Sequence, residues 1–162
     1  METPPYAVLT RFERFAFRTM RFWNLGAGSK VSWLWQRYVI IPLVGAFVSR
    51  RLEYRGLERV QALPPDARIL LIANHLTFFD LFILGWILWK RGGLKQALNF
   101  PVRANFFYEG PLGLAICLGM SGGTMFPPFF RAVEKKPFNK HSLAIVIEKM
   151  KTPNQLVGFH PE

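Results

Sequence analysis

The sequence contains a single cysteine, Cys117, among 162 residues. One cysteine excludes a disulfide within the chain and any metal site built from several cysteines. The Gly-x-Ser-x-Gly turn of serine hydrolases, the Gly-Lys-Ser/Thr phosphate loop and the His-Glu-x-x-His zinc motif are also absent. Their absence argues against covalent serine chemistry, nucleotide hydrolysis and zinc proteolysis. Because Cys117 lies in an apolar stretch rich in small residues, we expect it to pack in the core.

Acidic residues are scarce: 10 Asp and Glu stand against 21 Lys and Arg, a formal charge of +11. The chain is 51% hydrophobic and 15% aromatic. This composition fits a protein at an anionic membrane surface better than a nucleic-acid binder, because the arginines are interleaved with bulky apolar residues and no recognition motif is present. We therefore expect a lipid bilayer, and no nucleic acid, among its partners.

Residues 1–50 are predicted to form a membrane-associating helical segment. On a helical projection, arginines share one flank and apolar side chains share the other. The arginines are Arg11, Arg14, Arg18 and Arg21, and the apolar residues are Val8, Phe12, Phe15, Ala16, Met20, Phe22 and Trp23. Such a helix would lie in the bilayer interface, with its arginines among anionic head groups. The alternative is an ordinary amphipathic helix packed on the domain.

A second apolar segment, residues 31–48, is interrupted by Arg37 and contains Pro42. A spanning helix needs about 20 consecutive, mostly apolar residues. We therefore predict a helix that enters one leaflet, or a short hairpin. The flanking Arg50 and Arg51 favour the cytoplasmic face of the membrane. No cleavable signal peptide is expected, because residues 1–5 lack a basic leader.

Residues 51–162 predict a single α/β domain. Strand-like and helical patterns alternate along this stretch, as is typical of an α/β fold. The predicted elements cover residues 51–54, 69–73, 80–89, 111–120, 141–150 and 156–159. We expect a mixed sheet flanked by helices and preceded by the N-terminal interfacial membrane helices. Loops are expected at residues 92–93, 121–124 and 127–128, and His141 is expected at the surface.

The clearest candidate for chemistry lies at the end of the second predicted strand. Asn74 and His75 follow this strand directly, and Asp80 lies five residues after His75. If Thr77 caps the next helix, Asp80 falls in its first turn, close to the strand end. A carboxylate that fixes one imidazole tautomer and stabilises the imidazolium makes histidine a general base. The alternative is a histidine that only packs, with Asp80 favoured at the helix start by the helix dipole.

These residues resemble the glycerolipid acyltransferase family. The segment Asn74-His75-x4-Asp80 is similar to the first motif of that family, Asn-His-x4-Asp, and residues 52–58 resemble the strand and Gly-x-Glu turn before it. The apolar strand that ends in His160-Pro161-Glu162 resembles the third motif, Phe-Pro-Glu-Gly-Thr-Arg, with histidine in place of phenylalanine. The resemblance covers residues 52–162.

The resemblance implies transfer of a fatty acyl group from acyl-CoA or an acyl carrier protein to the hydroxyl of a lysophospholipid, above all 1-acylglycerol-3-phosphate, in phospholipid synthesis. It makes His75 the base and Asp80 its partner, and it assigns substrate binding to Asn74, Arg131 and Glu162. Arg131 ends the best match to the second motif, Gly-x-x-Phe-x-x-Arg, although only the arginine and its apolar approach are shared. No metal, cofactor or covalent enzyme intermediate is required, because a thioester is already activated.

The resemblance also implies further sequence after Glu162. We therefore expect the acyltransferase core, residues 51–162, to be incomplete at its C-terminal end and inactive as an isolated piece. A non-catalytic membrane-surface adaptor that binds anionic lipid is the alternative function. It differs from the enzyme in leaving His75 and Asp80 dispensable.

Overall fold

A computed structural model describes residues 4–48, 50 and 52–160, so Arg51, Pro161 and Glu162 lie outside the described residues. The helices are α1 (Arg11–Leu25), α2 (Ser29–Trp35), α3 (Ile41–Val48), α4 (Leu57–Gln61), α5 (Asp80–Lys90), α6 (Ala104–Phe107), α7 (Pro111–Ser121) and α8 (Lys136–Lys151). The strands are β1 (Ile69–Ile72), β2 (Leu98–Asn99), β3 (Val102–Arg103), β4 (Pro128–Phe129) and β5 (Leu156–Phe159).

The strands form two parallel sheets. The first has the order β1-β5-β2, and the second pairs β3 with β4. The α/β class is confirmed, but the described pairings are all parallel rather than mixed. Helical connections between paired strands explain this difference, because a crossover returns the chain in the same direction. The predicted strand at residues 51–54 is also wrong for the described residues 52–54, which pair with no other strand.

One hydrophobic core joins the N-terminal helices to the sheet. Side chains from before and after residue 50 in the sequence are fully buried in this core, among them Phe17, Phe82 and Phe138. Phe17 packs edge-on against Phe138, with ring centroids 4.9 Å apart. Cys117 is buried as predicted, and burial raises the pKa of its thiol to about 12.

Helix α1 packs on this core. A capping box starts it, in which the Thr10 hydroxyl accepts from the Glu13 N–H and the Glu13 carboxylate accepts from the Thr10 N–H. Phe17, outside the predicted apolar face, is fully buried, whereas Phe15 and Phe22 are exposed. The interfacial placement of α1 is therefore not confirmed, and its buried face matches the amphipathic helix that packs on a domain.

Helices α2 and α3 are joined by a π-helical stretch, Gln36–Ile40, into one helix from Ser29 to Val48. The predicted hairpin does not form. Pro42 has no N–H to donate, and the wider π-helical turn just before it lets the helix continue without that hydrogen bond. By length and composition this helix could cross a membrane: it has 20 residues, and its most apolar window has a mean hydropathy of 1.3 and is 33% buried.

The two faces of this long helix differ in their surroundings. On the inner face the Gln36 amide donates to Leu98 O at 2.9 Å and accepts from Leu98 N at 3.0 Å. The outer face has a row of exposed apolar side chains at four-residue spacing, which we call the apolar stripe. Its members are Val31, Trp35, Val39, Leu43 and Phe47, and they are 38% to 77% exposed.

Two further expectations concern the second half of the chain. His141 is buried rather than exposed, because α8 begins at Lys136 and turns this ring toward α1. The centroid of its ring lies 6.1 Å from that of Phe17. The loop predicted at residues 121–124 is confirmed by the left-handed Gly122 and Gly123, which end α7. The loop predicted at residues 127–128 lies partly in β4.

Candidate active site

The candidate site lies at the carboxyl end of the three-stranded sheet. Strands β1 and β5 are parallel neighbours, and their last residues, Ile72 and Phe159, are paired. The loops that follow these strands therefore meet at one edge, where open α/β sheets bind their ligands. His75 lies in the loop after β1, and His160 directly follows β5.

The structure brings His75 and Asp80 together. His75 Nδ1 lies 3.3 Å from Asp80 Oδ2. Because an ionised carboxylate only accepts, Nδ1 bears the hydrogen in this contact and Nε2 is left as the basic nitrogen. This is the tautomer that a general base with an orienting carboxylate requires.

The Asp80 carboxylate also organises the loop between β1 and α5. Its Oδ2 accepts from Leu76 N at 2.6 Å and Thr77 N at 2.7 Å, and its Oδ1 accepts from the Thr77 hydroxyl at 2.7 Å. Burial by itself raises the pKa of Asp80. The hydrogen bonds from Thr77, Leu76 and His75 outweigh burial, and they lower this pKa below its usual 3.8. Asp80 is therefore ionised at neutral pH and can stabilise an imidazolium at His75.

The residue that caps α5 differs from the prediction. The helix begins at Asp80, with Phe79 in the N-cap position. The Thr77 hydroxyl accepts from Phe79 N at 3.3 Å and donates to Asp80. Thr77 therefore orients the Asp80 carboxylate instead of capping a helix that starts at the next residue. Asp80 still lies at a helix start close to the strand end, where the helix dipole favours its charge.

A second imidazole, to which the sequence analysis assigned no role, stacks on His75. The ring centroids of His75 and His160 are 4.2 Å apart, and the ring planes meet at 29°. His160 Nδ1 lies 2.8 Å from the Ala73 carbonyl oxygen and donates to it, because a carbonyl only accepts. The signals in the sequence were the position of His160 directly after a predicted strand and its place in the match to the third motif.

The donor atoms of His75, Asp80 and His160 lie within 4.8 Å of one another, which is close enough to consider a metal ion. Their arrangement does not suit one. The two imidazole rings are stacked, so the lone pairs in their planes are poorly directed toward a shared ion. Both Asp80 oxygens already accept hydrogen bonds from Leu76 and Thr77. This geometry favours proton transfer over metal ligation.

The remaining predicted site residues are not joined to this pair by a described contact. Asn74 is exposed beside His75. Arg131 is exposed after β4, in the second sheet, and within the described ranges no hydrogen bond or ion pair links it to the two histidines or Asp80. Glu162 lies outside the described residues. Substrate binding by Asn74, Arg131 and Glu162 stays a prediction.

Phenylalanine side chains surround the start of α5. The ring centroid of Phe78 lies 5.2 Å from Phe79, 5.8 Å from Phe82 and 5.9 Å from Phe107. Leu76, next to His75, is 88% exposed. Apolar side chains therefore lie in the same loop as His75 and at the start of α5, as a hydrocarbon substrate would require.

A family model described as Acyltransferase matches residues 51–162, which include His75, Asp80 and His160. The chain belongs to the glycerolipid acyltransferase family. The family resemblance of the sequence is thereby confirmed, and the chain is an acyltransferase. Neither the curated proteins nor the solved structures include a match to this acyltransferase.

Proposed function

We propose that this acyltransferase moves a fatty acyl group from acyl-CoA or an acyl carrier protein to the hydroxyl of a lysophospholipid, with 1-acylglycerol-3-phosphate as the preferred acceptor. The observation that supports this most is the His75–Asp80 hydrogen bond at the carboxyl edge of the sheet. A base beside an apolar surface is what direct acylation of a lipid alcohol needs, since the thioester donor is already activated.

In the proposed reaction, His75 Nε2 takes the proton of the acceptor hydroxyl as that oxygen attacks the thioester carbonyl. A carbon–oxygen bond forms, the carbon–sulfur bond breaks, and the departing thiolate receives the proton from the imidazolium. Asp80 stabilises the imidazolium through its Nδ1–H. Because its pKa is lowered, Asp80 stays ionised and does not itself become the proton acceptor.

Membrane association is part of this proposal, because the substrates are lipids. Val39, Leu43 and Phe47 of the apolar stripe are exposed, while Trp35 donates to Gly119 O of α7 at 2.8 Å and Gln36 on the inner face is hydrogen-bonded to β2. A helix that is fixed to its domain on one face and apolar on the other can lie parallel to the membrane, with its apolar face in one leaflet. Crossing the bilayer would break the hydrogen bonds of Gln36. The exposed Arg50 after this helix fits the cytoplasmic face.

The experiment that tests the proposal is the change His75→Ala, assayed as thioester consumption with lysophosphatidate. We expect a loss of about 10²–10⁴-fold, which is typical when a general base is removed. Asp80→Asn should also be severely impaired, because an amide cannot stabilise the imidazolium as a carboxylate does. Asp66→Asn makes the same change at an exposed position and should behave as wild type.

Vesicle binding by the same variants distinguishes the enzyme from a membrane adaptor. Both functions predict that His75→Ala still binds vesicles. The enzyme predicts that His75→Ala loses thioester consumption. The adaptor predicts that the change has no effect on thioester consumption. Near wild-type turnover by a folded His75→Ala protein would therefore rule out the proposed base.

The proposed phosphate contact of Arg131 has a separate kinetic signature. Arg131→Ala should raise KM for the phosphorylated acceptor far more than KM for the acyl donor, because only the acceptor loses a charge-assisted contact worth roughly 1.5–3 kcal/mol. Arg131→Lys should restore binding in part, since it keeps the charge without the planar fork. Arg59→Ala is the control. Unchanged acceptor kinetics in Arg131→Ala would make this arginine a solvated loop residue.

A further inference from the structure

A pocket lies at the amino edge of the three-stranded sheet, opposite the candidate active site. Its cavity volume is about 580 Å³, within the range of small-molecule sites. It opens between α1, α2, α8 and the segments that precede β2 and β5. Trp23 and Trp33 line its sides, and Asn24, Ser32, Asn99 and Lys149 are its main polar residues. His75, Asp80 and His160 are not among the residues that line it.

The notable group in this pocket is the ammonium of Lys149. Its Nζ donates to Asn24 Oδ1 at 2.6 Å and to Asn99 Oδ1 at 2.9 Å. Both partners are neutral, and in the described part of the chain no carboxylate lies within ion-pair distance of Lys149. An ammonium removed from water without an opposite charge is costly. Desolvation accordingly lowers the pKa of Lys149 from 10.5 to about 8.

The neighbouring amides are fixed in the orientation that faces this cation. Asn24 Nδ2 donates to Asn99 Oδ1 at 3.0 Å and to Gly123 O at 2.9 Å, so the Asn24 oxygen is the atom left for Lys149. The two amides use two of the three ammonium hydrogens. Ser32, which is 3% exposed, also lines the pocket, and its hydroxyl has no hydrogen-bond partner within residues 4–48, 50 and 52–160.

The charges around the pocket favour an anion. The segment before β2 contributes Lys95, and α8 contributes Lys149 and Glu148. Glu148 is the acidic residue among the described lining, and its carboxylate pairs with Lys151 at 3.1 Å. Trp23 and Asn24 of α1 add no charge. Two cations and an unpartnered hydroxyl thus face a cavity in which the one carboxylate is already engaged.

We propose that this pocket binds a phosphate group through Lys149 and Ser32. The two tryptophans leave an apolar space for the rest of the ligand. Ser29, the first residue of the helix with the apolar stripe, also lines the pocket, so a lipid head group is a source of the phosphate beside a soluble phosphate ester. This site is separate from acyl transfer at His75 and goes beyond the proposed function.

The test is titration of the full chain with inorganic phosphate at constant ionic strength and near-neutral pH, followed by calorimetry. Gln155 lines the pocket, and Gln155→Glu adds a carboxylate without changing the shape of the side chain. We expect wild type to bind saturably and Gln155→Glu to bind about tenfold more weakly or worse, because a carboxylate in the pocket repels phosphate and competes with it for the Lys149 ammonium. The control is Gln61→Glu, which makes the same charge change on the exposed α4 and should bind as wild type.

Lys149→Met should abolish phosphate binding. Lys140 is an exposed lysine on the same helix, and Lys140→Met should leave phosphate binding unchanged. If Lys149→Met fails to fold, Gln155→Glu decides the question. Vesicles of phosphatidylcholine with and without phosphatidic acid identify the source. Weaker binding of Gln155→Glu to the phosphatidic acid vesicles supports a lipid phosphate, and an effect on inorganic phosphate alone supports a soluble one.

The proposal would be overturned if wild type bound neither inorganic phosphate nor phosphatidic acid vesicles saturably. Equal binding by wild type, Gln155→Glu and Gln61→Glu would also overturn it. Lys149 would then be a structural link between α1, α8 and β2. Acyl transfer measured in the same preparations keeps this outcome distinct from a failure of the His75 mechanism.

Discussion

At the scale of single residues, the two imidazoles of the candidate active site are fixed by different parts of the backbone. His75 is held through Asp80, which is itself held by the N–H groups of Leu76 and Thr77. His160 is held by the carbonyl of Ala73 in the loop after β1. The stacked pair therefore connects the ends of β1 and β5, and the orientation of His75 depends on both loops.

The stacking contact leads to a prediction for His160. His160→Ala should lower kcat on the order of tenfold with little change in KM, because a His75 ring without its stacking partner spends less time in the reactive orientation. His160→Phe should keep most of the activity, since a phenyl ring can stack in the same place. Steady-state kinetics of the two variants is the measurement. An equal loss in both would show that the hydrogen bond to Ala73, and not stacking, positions His75.

The sequence was sufficient to find His75 and Asp80 but not His160 as part of the same site. The first two are five residues apart, and a strand followed by a helix brings them together by local geometry. His160 reaches His75 only because β5 pairs in parallel with β1, with Phe159 opposite Ile72. These strands are far apart in the sequence, and nothing in the residues next to His160 indicates which strand β5 will pair with.

At the scale of elements, the helix from Ser29 to Val48 has two separate tasks. Its inner face completes the core, with Ile40 and Val44 buried. Its outer face is the apolar stripe. The helix cannot leave the domain without exposing core side chains, so the stripe is the part available to a bilayer.

The apolar stripe leads to a prediction for membrane binding. Replacing Val39, Leu43 and Phe47 together by serine should lower vesicle binding more than tenfold, because each large apolar side chain contributes about 1.5–3 kcal/mol when it leaves water. Sedimentation with liposomes is the measurement. Leu143→Ser, an equally exposed apolar position on α8, is the matched control and should bind as wild type.

A second set of variants separates insertion from charge attraction. Changing Arg11, Arg14, Arg18 and Arg21 to glutamine should weaken binding to anionic vesicles alone and leave binding to neutral vesicles intact. Complete release by the arginine variant, with no effect of the serine variant, would mean that head-group attraction and not the stripe holds the protein to the membrane.

The long apolar runs were the predictable elements. The strands β1 and β5 and the helices α5 and α7 lie within a residue or so of their predicted bounds. The strands β2, β3 and β4 have two residues each, which is too short for a recognisable alternation. The face that α1 buries was also not predictable, since phenylalanines lie on several sides of that helix and only tertiary contacts decide that Phe17 is the buried one.

At the scale of the whole molecule, the N-terminal helices and the residues that match the family model share one set of buried contacts. Asn24 of α1, Asn99 of β2 and Lys149 of α8 form a hydrogen-bonded network across this boundary. A cation in such a network makes the stability of the protein depend on pH.

The sign of this dependence follows from the pKa of Lys149. In the folded protein the Lys149 ammonium loses its proton near pH 8, whereas in the unfolded chain Lys149 keeps its proton until about pH 10.5. Below pH 8 both states are protonated and the full cost of the buried charge is present. Between pH 8 and 10.5 only the folded state is neutral, so the free energy of unfolding should rise with pH, by about 1–3 kcal/mol.

The measurement is urea unfolding in phosphate-free buffer at several pH values, for wild type and Lys149→Met. The variant serves as reference because it keeps the other titrating groups, including Cys117, whose raised pKa acts in the opposite direction at high pH. The difference between the two unfolding free energies should grow in favour of wild type from pH 8 to pH 10. A constant difference would mean that Lys149 titrates as an exposed lysine.

The hydrogen bonds between Gln36 and Leu98 have a further consequence for the protein in solution. Strand β2 is an outer strand of its sheet, and an outer strand with free N–H and C=O groups is a template on which another chain can add a strand and begin to aggregate. The Gln36 amide both donates to and accepts from the backbone of Leu98, as a neighbouring strand would. A single side chain from the long helix thus closes this edge against intermolecular sheet growth.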